Sequence, residues 1–510
     1  MPARGLAFVP FLALACAIAS PLHAQDPSEP SSFRVSMAEA QKAAAADDCA
    51  GALAALDPVV AGLPEGPDRL VAQRLRLICL GREGRFEELA AVQRELATAM
   101  PRDGVVRAFG VIIALDENRF TDAAEELATL AATSPGSLDI LTGAAVRQIS
   151  SNLRSTGARE VRERMIIALA RSDWAPSDFP DLRIGFAEEA IGALVARGET
   201  DEAEGLLERI EQPELLSSML IDRRYAPIWP AVEARLGPSG GTSVDHFARE
   251  TLSAYSDDPN SEPALRDAAN AMLLLGHYDD VLDMTDRVAV KDGMSRPAVQ
   301  TVLIRARALA ILRRNGEADR LLAGFMTLDP ARTPDASTGL ITYPEFLDET
   351  GQAERALTVA RDARGRAGGV LNDFGLRWLD RTEICALSAL GRTAEANDAM
   401  DRLKAQADQN HAATIEALLC ARRDAEASVL TVKAFGEDEV GSELLYQFQP
   451  GPSLWASGPS RLRQLWIAFL ARPEVKTAFE RRGRILPRAY WPGATPRPIP
   501  RRPSDGMPLT

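Results

Sequence analysis

The chain has 510 residues, of which 46% are hydrophobic, 25% charged and only 5% aromatic, with a formal net charge of −14. That is too much apolar material for a disordered chain, and because Ala, Leu and Val supply most of it, helices are favoured over strands. An acidic body also lacks the extended positive surface that nucleic-acid binding requires, so nucleic acid is excluded as a partner.

The first residues read as a targeting segment. Arg4 supplies a positive start, Leu6 to Ala19 form a short apolar stretch, and Leu22-His23-Ala24 ends on the small residue that a signal peptidase needs. Residues 1–24 are therefore expected to be removed, with cleavage between Ala24 and Gln25. A lipid anchor on Cys16 is the weaker alternative, because Ala13 stands where a Leu is usually wanted. No later stretch reaches about 18 consecutive apolar residues, the length that spans a bilayer. The Ala/Arg-rich composition points to a bacterial exported protein, with the periplasm ahead of secretion as its expected location. Residues 25–35 read as a linker.

Beyond it the sequence echoes itself. Phe86 and Phe120 are 34 residues apart, as are Pro101 and Pro135, and apolar residues between them recur at three and four. This is the pattern of antiparallel helix pairs whose single apolar face is too small to be stable alone and is buried by stacking. Each second helix needs a small residue where the two helices cross, an aromatic or bulky residue three before it, and a turn-former two earlier still. Reading with that template places crossing residues at Ala52, Leu89, Ala123, Ala203, Val281, Ala318, Ala356, Ala396 and Ala427. Turn residues fall at Gly84, Gly198, Gly276, Gly351, Gly391 and Arg422.

The two long intervals, 123 to 203 and 203 to 281, each have room for one degenerate pair. The pattern resembles the tetratricopeptide repeat (TPR) superfamily over roughly residues 36 to 435. The resemblance implies an all-α solenoid of antiparallel helix pairs. We divide it into arrays at 36–240 and 241–440, followed by capping helices at 441–485 and a basic, Pro-rich tail at 486–510 that is expected to be disordered. Leu77 and Val111 stand where the first helix usually carries a small residue, and Leu89 and Val281 replace the crossing Ala, so these pairs are expected to be widened.

Four cysteines follow the signal segment, an even number that suggests bridges in an exported protein. Cys49 opens a second helix and Cys79 lies near the end of the next first helix, elements that pack together, so a Cys49–Cys79 bridge is expected. Cys385 and Cys420 lie on adjacent first helices about one turn out of register, which favours separate buried thiols.

No nucleophile elbow, phosphate loop, dinucleotide fingerprint, zinc motif or Cys-x-x-Cys is present. His246, His277 and His411 fall in different pairs, so neither a catalytic site, a metal site nor a cofactor is expected, and His277 reads as a solvated turn. The acidic runs sit at helix termini or on helix faces, where they suit the helix dipole and solubility.

Two segments differ in texture. Arg223, Arg224, Tyr225 and Trp229, with two prolines, form either a recognition anchor or a packing break between stacks, and packing is preferred. From Pro459 onward eleven basic residues face three acidic ones, among them Arg481, Arg482, Arg484, Arg488, Arg501 and Arg502. Such an end would contact a membrane or wall polymer, or dock onto the acidic body. The primary functional expectation is a non-enzymatic scaffold of the bacterial envelope that takes a partner segment on its concave face. The alternatives are an envelope tether using the basic end, and an enzyme whose site forms no local motif.

Overall fold

The computed structural model describes residues 32–367, 369–450, 460–493 and 495–500. The expected signal segment, with Cys16 and the Ala24–Gln25 junction, lies outside them, as do Arg501 and Arg502. Among the described residues all regular structure is helical, apart from one antiparallel bridge between Asp222 and Gly483. No helix among them is long and apolar enough to cross a membrane. The chain divides into two compact units, Met1–Arg209 and Ile210–Thr510, so the division precedes the 240/241 boundary read from the repeats.

In unit 1 the helices run in pairs: α1 (Ser32–Ala45) with α2 (Cys49–Val60), α3 (Pro67–Arg82) with α4 (Phe86–Ala99), and α5 (Gly104–Asp116) with α6 (Phe120–Thr133). Then come α7 (Gly143–Ser155) with α8 (Arg159–Ser172) and α9 (Leu182–Ala196) with α10 (Thr200–Leu206).

Unit 2 begins with α11 (Pro213–Ile221), α12 (Trp229–Leu236) and α13 (Gly241–Asp257). It continues with α14 (Glu262–Leu275) and α15 (Tyr278–Thr285), α16 (Arg296–Ile311) and α17 (Asn315–Ala323), and α18 (Ser337–Glu349) and α19 (Ala353–Arg366). The last two pairs are α20 (Asp373–Ala389) with α21 (Thr393–Lys404) and α22 (His411–Cys420) with α23 (Asp424–Ala434). Three closing helices follow, α24 (Asp438–Gln447), α25 (Arg461–Phe469) and α26 (Pro473–Arg482). The pairs α7/α8 and α12/α13 occupy the two long intervals.

Local chemistry starts and stops these helices where the sequence asks. Asp48, Asp103, Thr142, Ser261, Ser295, Asn372, Asn410 and Ser460 each accept a hydrogen bond from the backbone N–H three residues on, satisfying a donor the helix leaves open. Two residues before the second helix of a pair the backbone turns left-handed, with φ between 67° and 84° at Gly84, Gly198, Gly276, Gly351 and Gly391. The same turn is made by Asp47, Asn118, Arg313 and Arg422 at φ near 60°, a conformation that costs an L-residue about 1 kcal/mol.

The register holds at the crossings: eight of the nine crossing residues have no exposed surface, and Ala396 has 2%. Leu77 is followed one turn later by the small residue Gly81. A Cβ added to Gly81 would stand 2.4 Å from the Phe109 ring, so α3 and α5 make their close approach there. The core of unit 1 is built mostly from Ala, Leu and Val. Unit 2 ends instead in an aromatic cluster, Phe435, Phe448, Trp466, Phe469 and Phe479, that locks α24, α25 and α26 onto α22 and α23.

Candidate functional site

In unit 2 the first helices α18, α20 and α22 pack side by side, and α25 lies against them. Arg381 of α20 stands in the middle with 1% of its side chain exposed. Its Nε is 3.1 Å from Glu416 of α22, and its other nitrogens approach Glu345 at 3.5 Å and Asp348 at 3.9 Å. The guanidinium also lies 5.1 Å over the Trp378 ring.

From the covering helix, Arg461 donates to Asp348 at 2.7 Å and Ser460 donates to Glu349 at 2.8 Å. The Trp466 indole N–H donates to Glu416 at 2.7 Å, entirely buried. Four carboxylates thus face two guanidiniums. Burial raises Asp348 above the ordinary carboxylate range, against the pull of Arg461 and Arg381. Burial pushes Glu349 to about 7, with the Ser460 hydrogen bond opposing it. On Arg381 burial works against the charge, but the surrounding carboxylates outweigh it and hold the guanidinium ionised. The arrangement is a buried polar lock for one helix.

Unit 1 offers a different surface. Between α6, α8 and α9 runs a groove of about 540 Å³, floored by Ala128, Ala132, Ile167 and Ala168. Its rim carries Arg164, Arg171 and Arg197, each already paired: Arg164 with Glu125 at 3.3 Å, Arg171 with Glu202 at 2.6 Å, and Arg197 with Glu163 at 2.8 Å.

The residues singled out from sequence fall into three places. Cys49 and Cys79 are buried, with sulfurs 2.6 Å apart and no bond between them, closer than the van der Waals contact of two sulfurs. Burial pushes the Cys79 thiol well up. Cys385 and Cys420 are joined in a disulfide with Cα atoms 5.0 Å apart, which corrects the expectation of separate thiols. Adjacent first helices are staggered along their axes, so the one-turn offset in sequence becomes alignment in space.

Of Arg223, Arg224, Tyr225 and Trp229, the first and last meet the C-terminal segment of the same unit, and the middle two stack on each other. Arg223 donates to the Glu480 carbonyl at 2.7 Å, Arg224 stacks 4.7 Å over the buried Tyr225 ring, and the Trp229 ring receives Arg484 at 3.5 Å.

Of the basic end, Arg482 reaches Ser442 at 2.7 Å and Asp222 at 3.9 Å, Arg484 pairs with Glu233 at 3.0 Å, and Arg488 stacks 5.8 Å over Trp491. Arg481 is exposed. Residues 486–500 were expected to be disordered, but the described ones follow a set course, because Glu233 on α12 receives Arg484 just before them and Asp245 on α13 receives Arg497. His277 is likewise more than a solvated turn: its Nε2 lies 2.7 Å from the Arg497 carbonyl oxygen. Asp348, Glu349, Arg381 and Glu416 were missed. The only sequence signal was the Leu462/Leu465/Trp466/Phe469 stripe, which marks α25 as a helix seeking a face without naming the face.

No family model matches the sequence, and no curated protein matches it. Three solved structures align with this chain at low identity. Yeast Tom70 shares 11% identity, with 88% of this chain and 99% of that chain covered, at a TM-score of 0.31. A chain of Naa15/Naa10 bound to HypK shares 12% over 78% and 67%, at 0.25. The P58(IPK) TPR domain shares 12% over 86% and 99%, at 0.20. The class is defined by the repeat register of the chain itself: among the described residues, an all-α array of repeated helix pairs, ended by a helical cap.

Proposed function

We propose that this protein is a non-enzymatic scaffold that binds segments of a partner protein on the faces of its helix pairs, exported to the bacterial envelope and resident in the periplasm. The supporting observation is the α18/α20/α22 face, which already holds a separate helix, α25, through Trp466, Arg461 and Ser460. An array that captures a segment of its own chain in this way has the chemistry to capture another.

A photo-crosslinking residue at Thr129 or Ala168, in the unit 1 groove, should capture one defined partner from periplasmic extract, and the same residue at exposed Val429 should not. Equal labelling from both positions, or none from either, would count against the reading. N-terminal sequencing of the exported protein should begin at Gln25, and a lipid-modified Cys16 would replace the soluble reading with an anchored one.

The tethering alternative asks arginines already paired with Glu233 and Asp245 to act elsewhere, and it ranks second. Deleting residues 486–510 separates the two, since only a tether would lose membrane or wall association. The sulfur contact supports reading Cys49 and Cys79 as a second bridge in the oxidised protein.

A further inference from the structure

Gly483 separates two kinds of chain. Before it, α25 and α26 bury Leu462, Trp466, Phe469, Val475, Ala478 and Phe479. After it, none of the described residues from 484 to 500 is buried. Its first residues still lean on the unit 2 core, where Ile485 and Leu486 are partly buried and the Leu486 N–H donates to Gln449 at 2.9 Å, and its described residues meet the opening helices of unit 2 at two arginine stations.

At the first station the Arg484 N–H donates to the Ile221 carbonyl at 2.9 Å, beside the Asp222–Gly483 bridge. The Arg484 guanidinium lies on the Trp229 ring, donates to the Leu220 carbonyl at 2.7 Å and pairs with Glu233 at 3.0 Å. At the second, the Arg497 N–H donates to the Leu275 carbonyl at 2.8 Å, and its own carbonyl meets His277 Nε2 at 2.7 Å. Asp245 receives the Arg497 guanidinium in both branches, at 3.0 and 2.7 Å.

The backbone makes contact at both stations as well, as it does when an extended peptide is read. Gly483 must be glycine here for lack of room: a Cβ would stand 2.5 Å from the Ile221 carbonyl oxygen. Between the stations Pro487 leads into a short 3-10 turn at Arg488–Tyr490, and Pro492 and Pro496 follow it, so the prolines keep the described residues out of longer helix. Cation–π stacking, a bidentate carboxylate and main-chain hydrogen bonds are the means by which proteins recognise arginine-bearing segments, and they do not amount to a core.

We propose that the strip from Leu220 to His277 is a binding site for proline-interrupted, arginine-bearing peptide segments that touch it at two arginines, with residues 484–497 of this chain as its resident ligand. A partner segment of that chemistry enters by displacing the strap, while the cap formed by α25 and α26 stays in place. The proposal deepens the scaffold reading and rests on it.

The test uses the full-length chain and a fluorescent peptide with the sequence of residues 481–500. The wild-type chain should bind it at least 10-fold more weakly than an R484A/R497A chain, because the strap competes in cis at an effective concentration on the order of millimolar. Adding E233Q and D245N to the emptied chain, or replacing both arginines of the peptide by alanine, should lower binding at least 10-fold. Peptide binding that is equal in wild-type and R484A/R497A chains, or unchanged by E233Q and D245N, overturns the proposal.

Hydrogen exchange on the unaltered protein is a second measure that needs no variant. The amides of Arg484 and Arg497 should exchange at least 100-fold faster than those of α25, and equal protection would make the strap part of the core and end the idea. Crosslinks from the unit 1 groove do not depend on this strip, so failure here is distinguishable from failure of the scaffold reading.

Discussion

Unit 1 holds together by paired helices alone and leaves a groove between α6, α8 and α9, whereas unit 2 adds three helices and a strap that cover its own surfaces. The difference begins in composition. Unit 1 packs mostly Ala, Leu and Val around a few aromatics, but the last third of unit 2 gathers Phe435, Phe448, Trp466, Phe469 and Phe479 into one cluster. Large rings bury more area per residue than aliphatic side chains, so a short helix such as α25 is held by two of them. The same repeat thus yields a surface open to others in one unit and a surface occupied from within in the other.

The largest expected effect on that contrast comes from Trp466→Ala. It removes a fully buried ring and leaves Glu416 without its indole donor, so unit 2 should lose roughly 3–5 kcal/mol. Differential scanning calorimetry should show one transition falling and the other unmoved, and a shift of both would remove the distinction between the units.

Next in size are the cysteines. Cys385→Ser with Cys420→Ser opens a loop whose cysteines are 35 residues apart and should cost roughly 3 kcal/mol, again in unit 2 only. Intact-mass measurement after alkylation without reduction should find all four mature cysteines protected. Two reactive thiols would leave unit 1 without a staple and sharpen the contrast.

The polar lock gives a pH test. The Glu349 carboxyl sits at about 7 in the folded chain, against 4.5 as its ordinary value, so between those values the folded state binds the extra proton. Its contribution to stability is greatest below about pH 4.5, declines as pH rises and is lost above about 7, a change of roughly 3 kcal/mol. Urea unfolding of wild type against Glu349→Gln, compared at pH 5 and pH 8, should show a gap between the two proteins that changes by that amount. A constant gap would show that Glu349 does not carry the proton.

The smallest effect concerns a turn. Arg422→Gly relieves a left-handed residue and should stabilise unit 2 by roughly 0.5–1 kcal/mol, measured by the urea midpoint, and a loss would mean that the arginine side chain makes up for its strained backbone.

Much of the fold was legible in the sequence. Helix pairs, crossing residues and turn positions obey a period of local origin, so Ala123 and Gly276 could be assigned from neighbours a few residues away. The groove in unit 1 was not legible, because it arises where α6, α8 and α9 lie side by side in the degenerate stretch, a packing that spacing does not encode. The Arg381 cluster was hidden for a related reason. Its charges come from α18, α20, α22 and α25, and each carboxylate taken alone looks like an ordinary solvated group on a helix.

The sequence by itself determined the repeat, the helix termini, and the existence of a basic end on an acidic chain, because each follows from local geometry or from a sum of charges. The tertiary structure decided which cysteines are bonded and where the basic end goes. The Cys385–Cys420 bridge depends on the stagger of adjacent helices, and the destination of Arg484 and Arg497 depends on Trp229, Glu233 and Asp245 being brought within reach across more than 250 residues of chain. Local spacing fixes what a segment is, but which surface it meets is set by how the helices between them pack.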